Sequence, residues 1–220
     1  MAAWTLHSGW RATAAYRVRI GLALKGVEYD YAALDLIAGD QLTEAYRKVN
    51  PQGLVPALDL GDGHVLTQSL AILEFLEETR PSPPILPRSA LDRATVRAMC
   101  GIIACDIHPV NNTRIGKKLA ELGVPQETVV KDWIQRWIRD GFDALEPMIA
   151  RHGGQFAFGD APSIADCCLV PQVYSARRFQ LDLAPWPVLT GVADRAGMHP
   201  AFLAAHPNRQ PDAKPPQETK

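Results

Sequence analysis

Nowhere in the 220 residues does an apolar run approach the roughly 20 residues that a membrane-crossing helix requires. An excess of one charge is also missing. Lys and Arg number 23 against 24 Asp and Glu, and they are interspersed, so the formal net charge is −1. That balance offers neither a nucleic-acid surface nor a polyanion-binding tail. Cysteine is scarce: Cys100, Cys105, Cys167 and Cys168. There is no C-x-x-C pair and no histidine at zinc-site spacing, and the chain is too long and too cysteine-poor for a disulfide scaffold. The adjacent Cys167 and Cys168 could not bridge without distorting the backbone. These residues read as four reduced thiols, mostly buried on helices, in a cytoplasmic protein. The opening residues, Met1 to His7, lack the cationic start and apolar stretch of a secretory signal. What the chain does have is 47% hydrophobic and 21% charged residues, enough for a real core and not a disordered composition.

The first eighty residues alternate in character. Residues 4–7 read as a strand, and 13–25 as a helix with Val18, Leu22, Ile20 and Leu24 at helical spacing, stopped by Gly26. Residues 27–34 read as a second strand and 42–49 as a short polar helix. Residues 57–60 and 64–66 flank Gly61-Asp62-Gly63, whose Asp-Gly step signals a hairpin. Residues 68–79 form an amphipathic pattern, with Leu70, Ile72, Leu73 and Leu76 against Glu74, Glu77 and Glu78. The order β-α-β-α-β-β-α suggests a small mixed sheet.

Four prolines between Pro81 and Pro87 then make a stiff linker. Beyond it no strand pattern of weight occurs. Residues 90–122 form one long helical pattern, bent at Pro109, and 126–151 another, with Trp133, Ile134, Trp137, Ile138, Leu145 and Ile149 at core spacing and Gly153-Gly154 at its end. Ser163-Ile-Ala-Asp166 is a capping box before an apolar run, and 185–196 and 199–205 give two short last helices. The tail after Asn208 is expected to fray. The architecture is α/β plus all-α: residues 1–83 a thioredoxin-like domain, 84–89 the linker, and 90–220 a helical bundle.

Two local features point to chemistry. In Asn50-Pro-Gln-Gly-Leu-Val-Pro56, proline opens a predicted strand, where it removes a ladder donor. A cis Val55–Pro56 bond facing a ligand would account for it, and so would an ordinary trans turn. Thr67-Gln68-Ser69 opens a helix, whose free N–H groups and dipole suit a carboxylate. Plain N-capping by Thr67 or Ser69 is the other reading.

Together these segments resemble the cytosolic glutathione transferases, and specifically the zeta class, the maleylacetoacetate and maleylpyruvate isomerases. The carriers are Tyr16 to Gly26, Asn50 to Pro56, Thr67 to Pro81, Asp106-Ile-His-Pro-Val-Asn-Asn-Thr-Arg-Ile115, Ser163 to Asp166, Leu169 to Phe179 and His206-Pro-Asn-Arg-Gln-Pro-Asp212, and they span nearly the whole chain. The resemblance implies the glutathione transferase fold, with residues 1–83 binding glutathione and the helical domain completing the substrate site. Val55 would pair its backbone with glutathione's cysteinyl amide. Gln68 and Ser69 would take the γ-glutamyl carboxylate, Gln41 would add a contact, and His108 and Asn112 would line the glycyl end and thiol. A homodimer is implied as well.

The sequence departs from the zeta pattern at the first helix. Arg-Ser-Ser-Cys-Ser-Trp-Arg is replaced by Arg11-Ala12-Thr13-Ala14-Ala15-Tyr16-Arg17, so Thr13 carries the only remaining hydroxyl of the motif. That hydroxyl would donate to the glutathione sulfur and favour the thiolate, lowering a pKa that starts at about 8.5 or above. Thr13 could equally be the helix N-cap. Arg11, Arg114 and Arg178 occur in three motifs that the family brings to one cleft. Guanidinium groups clamp carboxylates bidentately, which suits a small dicarboxylate substrate. Each arginine alone would read as a surface residue. Arg17 and Arg19 read as structural, and Arg177 would point about 100° away from Arg178. The implied activity is glutathione-dependent cis–trans isomerisation of a maleyl diacid in aromatic catabolism. The alternatives are a general transferase or dehalogenase of small electrophilic acids, which Ala12 and Ala14 keep open, and a non-catalytic glutathione-binding protein.

Overall fold

The structure, a computed structural model, describes residues 3–214. Its contacts divide the chain into two units: residues up to Pro84 together with the segment from His199 onward, and Ile85–Met198. No helix among the described residues is long and apolar enough to cross a membrane.

In the first unit, β1 (Thr5–Ser8), α1 (Thr13–Leu24), β2 (Asp30–Ala33), α2 (Glu44–Val49), β3 (Ala57–Asp59), β4 (Val65–Thr67) and α3 (Ser69–Thr79) follow one another, with a 3₁₀ turn, Asp40–Leu42, before α2. The sheet order is β2-β1-β3-β4; β1 runs parallel to β2 and antiparallel to β3, and β3 antiparallel to β4. This is the expected α/β arrangement. The hairpin turns on Gly61 (φ 75) and Gly63 (φ 94), with the Asp59 and Asp62 carboxylates accepting the Gly61 and His64 N–H groups.

Helix α1 is buried nearly all round, from Ala15 to Leu22. It packs on α3 and on α10 (Pro200–Ala205). It comes close to α3 at Gly21, where a Cβ would run into Leu73. Two arginines lie in this buried stretch, Arg17 and Arg19, with 1% and 0% of their surface exposed. At its C-terminal end the Lys25 ammonium donates to the Glu77 carboxylate and to the Arg80 and Pro83 carbonyls, all at 2.6–2.7 Å. A buried lysine needs such a set of acceptors to offset its lost hydration.

The sequence reading placed everything after residue 90 in the helical domain, whereas contacts group the segment from His199 onward with the α/β unit. The physical reason is the packing of α10 on α1, where Phe202 and Ala205 are buried, joined by polar contacts. Arg19 Nε donates to the Ala205 carbonyl (3.0 Å), and the Asp212 carboxylate accepts from Trp10 N (3.0 Å) and the Tyr31 hydroxyl (2.8 Å). The tail after Asn208 therefore does not fray as far as Lys214. Gln210 Nε2 donates to the Ala204 and His206 carbonyls, and Lys214 pairs with Asp35 at 2.7 Å. Residues 215–220 lie outside the described residues. The linker also differs from expectation: Ile85 and Leu86 are buried, and the Ile85 carbonyl accepts the Ile164 N–H.

The second unit holds α4 (Ala90–Gly101), α5 (Thr113–Glu121), α6 (Gln126–Thr128), α7 (Gln135–His152), α8 (Ile164–Arg178) and α9 (Pro187–Gly197). The long pattern over 90–122 does not make one helix. After α4 the chain runs in π-helical turns, Ile102–Ile107, then breaks over 108–112 before α5. A second π-helical stretch, Val129–Ile134, leads into α7. Gly141 of α7 admits the Ile107 side chain, against which any Cβ would collide. The expected capping box is present: Ser163 Oγ accepts the Ala165 N–H, and Asp166 accepts from Ser163 N (2.8 Å), Ser163 Oγ (3.0 Å) and Ala157 N (2.7 Å). Asp166 is fully buried, so its ionised form depends on those donors. Replacing it by Ala leaves two buried backbone donors and a hydroxyl without their acceptor. Asp166→Ala is expected to lower stability by about 2–4 kcal/mol in urea unfolding, and Asp166→Asn, which keeps one acceptor, by less.

Candidate functional site

Strand register gathers the expected residues of the first unit. Ser8 at the end of β1 lies opposite Ala33 at the end of β2; His7 lies opposite Ala57 at the start of β3; and Ala57 lies opposite Thr67 at the end of β4. The segments that continue from these four points all lie at one end of the sheet. They carry Arg11 and Thr13 after β1, Gln41 after β2, Val55 before β3, and Gln68 and Ser69 after β4.

Helix α1 opens there without a side-chain cap. Its N-cap is Ala12, and Thr13 is the first helical residue. Thr13 is thus not the cap, one of the two roles the sequence allowed it, and its hydroxyl enters no hydrogen bond among the described residues. The first N–H groups of an uncapped helix, with the dipole's partial positive charge, favour an anion such as a thiolate. Beside it the Arg11 guanidinium lies 4.6 Å from the centre of the Trp10 ring, a cation–π contact that sets its direction.

Across the same end, Val55–Pro56 is cis. The preceding carbonyl, Leu54 O, accepts from the Tyr46 hydroxyl and from Asn50 Nδ2, both at 2.7 Å. Val55's own N–H and C=O enter no hydrogen bond among the described residues, which leaves them open to an extended peptide. Helix α3 also opens uncapped. Its N-cap, Gln68, has φ 67, a conformation that disfavours any residue but glycine and costs of order 1–3 kcal/mol. Gln68 Nε2 donates to Gln52 Oε1 at 2.8 Å. Ser69 follows as the first helical residue, and its Oγ accepts from Arg17 Nη1 at 3.3 Å. The sequence reading took Arg17 as structural, but it places a buried positive charge against the expected carboxylate site. Its only sequence signal was a charged residue inside an otherwise apolar helix. Gln41 holds a buried Oε1 with no partner, while its Nε2 reaches Leu36 O at 3.5 Å. An orphan acceptor of this kind suits a ligand N–H.

A pocket of about 320 Å³ lined by His7, Leu34, Asp40 and Tyr46 lies under α2, and none of the expected residues lines it. No cluster of three or more His, Cys, Asp or Glu side chains that could hold a metal occurs among the described residues.

The second unit holds the remaining expected residues. His108 follows the π-helical stretch, its N–H donating to the Ile103 carbonyl at 2.9 Å. π-helical turns often occur at functional positions. Asn112 is the N-cap of α5, accepting the Arg114 N–H at 3.1 Å, so its carbonyl oxygen is engaged and its amide N–H₂ is the group left for a ligand. Arg114 projects from the exposed first turn of α5. Arg178 ends α8 with its guanidinium 4.8 Å from the Phe179 ring centre. Arg177 is turned to another partner, Asp194, in a two-pronged pair at 2.8 and 2.9 Å, which fits the expectation that it points away.

Comparison with known proteins adds to this geometry. Residues 13–79 match the family described as Glutathione S-transferase, N-terminal domain, and residues 131–208 its C-terminal domain. A maleylpyruvate isomerase from a Ralstonia species is 47% identical over 210 residues, covering 94% of this chain and 99% of that protein. The holo structure of a bacterial zeta-class maleylpyruvate isomerase superposes with a TM-score of 0.93 at 47% identity, over 96% of this chain and 100% of that one. The maleylacetoacetate isomerase of Methylobacterium extorquens AM1, solved with malonate and glutathione bound, gives a TM-score of 0.92 at 40% identity over the same shares.

The uncapped start of α1 yields a stability test. Thr13→Ala is expected to change unfolding free energy by no more than about 0.5 kcal/mol, whereas Ser89→Ala, which removes the oxygen capping α4 through Asp92 N, should lose about 1 kcal/mol in the same denaturant titration.

Proposed function

The chain belongs to the glutathione S-transferase family, and from that premise we propose that it is a glutathione-dependent cis–trans isomerase of maleyl diacids, taking maleylacetoacetate or maleylpyruvate to the fumaryl form in aromatic catabolism. The observation that carries the mechanism is the pair of uncapped helix starts, α1 and α3, at the sheet end where Val55 and Gln41 also offer unused polar groups.

Those groups fit the parts of glutathione. The start of α3, with Gln68, Ser69 and Arg17 behind it, takes an α-carboxylate. Val55 takes a peptide bond by its own N–H and C=O, and Gln41 adds an acceptor. The start of α1 takes the sulfur, with Thr13 donating its hydroxyl hydrogen to it and the helix N–H groups lending partial positive charge. When bound, glutathione supplies a thiolate that adds to the activated cis double bond, so that the bond rotates before the thiol leaves and the trans isomer results. Arg11, Arg114 and Arg178 hold the diacid's carboxylates through charge-assisted contacts and stabilise negative charge that develops toward the carbonyl. We assign His108 and the Asn112 amide to the glycyl end and thiol of glutathione, as the family resemblance implies. We assign the protein to the cytoplasm, where thiols are kept reduced, and to a homodimer.

Two measurements test this reading. Thr13→Ala should raise the pKa of the bound thiol and lower turnover at neutral pH by roughly ten- to a thousandfold; unchanged values would assign the task to the helix start alone. Arg11→Ala or Arg178→Ala should lower diacid turnover by about one to three orders of magnitude while sparing an uncharged electrophile such as a chloro-dinitrobenzene. An equal fall in both activities would show that the arginines serve glutathione binding or folding, and activity on the neutral electrophile alone would identify a general transferase.

A further inference from the structure

One contact in the first unit joins residues 202 positions apart in the chain: the Trp10 N–H donates to Asp212 Oδ2 at 3.0 Å. The peptide unit between Gly9 and Trp10 is held on both of its polar sides. Its N–H goes to Asp212. Its carbonyl, Gly9 O, accepts the Ala12 N–H (3.0 Å) that begins the turn into α1, and also Arg19 Nη1 (3.4 Å). Arg19 takes the acceptors on either side, Ser8 Oγ (3.0 Å) and Trp10 O (2.9 Å). Arg19 thus fixes the carbonyls of this loop from within, and Asp212 fixes the one N–H that sets which way the peptide faces. The other carboxylate oxygen of Asp212 is fixed by the Tyr31 hydroxyl on β2, and the segment carrying Asp212 is tied down by Gln210, whose Nε2 donates to the Ala204 and His206 carbonyls.

We propose that Asp212 is a positioning residue for the thiol-activating loop: by fixing the Gly9–Trp10 peptide it aims the start of α1, with Thr13 on it, and through the Trp10 ring it aims Arg11. This rests on the reading that Thr13 and the start of α1 hold the glutathione sulfur. A turned peptide would carry Gly9 O away from the Ala12 N–H, and the first turn of α1 would lose its entry bond. It would also move the indole on which the Arg11 guanidinium lies.

The test uses the full-length protein, with glutathione as the probe. The thiol pKa in the complex is read by thiolate absorbance, alongside kcat, KM for glutathione and the thermal midpoint. Wild type should show a bound-thiol pKa below that of free glutathione; if it does not, the reading of the α1 site fails, whatever Asp212 does. Asp212→Ala should raise the bound-thiol pKa by about one unit and lower kcat roughly ten- to a hundredfold at neutral pH, with KM for glutathione changing less than about threefold. Asp212→Asn should restore most of both, because its oxygen still accepts from Trp10 N and its amide can donate to the Tyr31 oxygen. Lys214→Ala, which touches neither Trp10 nor Tyr31, should leave both at wild-type values. If Asp212→Ala does not fold, Asp212→Glu decides, since it keeps the charge but shifts the carboxylate by one methylene and should also raise the thiol pKa. Wild-type thiol pKa and kcat in the Ala or Glu variant would overturn the proposal, whatever the thermal midpoint does. An equal loss in Lys214→Ala would also overturn it, because the effect would then belong to the segment as a whole.

Discussion

The Arg19 guanidinium is fully buried in the first unit, and the geometry of that unit's site end follows from what it needs. An unpaired buried charge costs several kcal/mol, so the charge is tolerable only where acceptors surround it. Here they are Ser8 Oγ, the Gly9 and Trp10 carbonyls and the Ala205 carbonyl. The first ends β1, the next two belong to the segment that joins β1 to α1, and the fourth ends α10. One side chain therefore ties the end of the central strand, the approach to the first helix and a helix from the far end of the chain. Arg17, two residues earlier and so about 200° round the helix, reaches the other way to Ser69 at the start of α3. A single buried helix in this way positions two helix starts by two guanidinium groups of opposite aim.

In the first unit, helix starts divide into capped and uncapped ones. Helix α2 begins with Thr43 and α10 with His199, each accepting a backbone N–H of the first turn. Helices α1 and α3 begin with Ala12 and Gln68 and have no side-chain cap. A cap contributes about 1 kcal/mol. Its omission at the two helices that open at the same sheet end leaves N–H groups for an anion instead. The positive φ of Gln68 belongs to the same pattern, since conformational cost gathers where a ligand is to be met.

In the second unit, close packing and polar contact together set the path of the chain. Ile107 seats against Gly141, and the backbone before it widens into π-helical turns. His108 follows directly, and Asn112 begins the next helix after the break. Trp133 Nε1 and Asn111 Nδ2 link the break to the second π-helical stretch through the Val110 and Ile134 carbonyls, so two hydrogen bonds to that one stretch fix the segment bearing His108 and Asn112.

By itself the sequence determined whatever short-range chemistry controls. The order of strands and helices in the first unit, the Gly61-Asp62-Gly63 hairpin, the helix stop at Gly26 and the capping box at Ser163 and Asp166 were all legible, because each depends on the φ preference or side-chain reach of a few neighbouring residues. The resemblance of motifs named the family and the cofactor. What only the tertiary structure decided was everything set by partners distant in the chain. Arg17 and Arg19 look alike in sequence, and their tasks differ because one faces Ser69 and the other Ala205. Thr13 admitted a capping or a binding role until the N-cap of α1 was fixed at Ala12. The chain after Asn208 reads as a polar, proline-rich tail, yet it is held through Lys214, because Asp212 meets a backbone N–H and a tyrosine hydroxyl that only the folded sheet brings to one place.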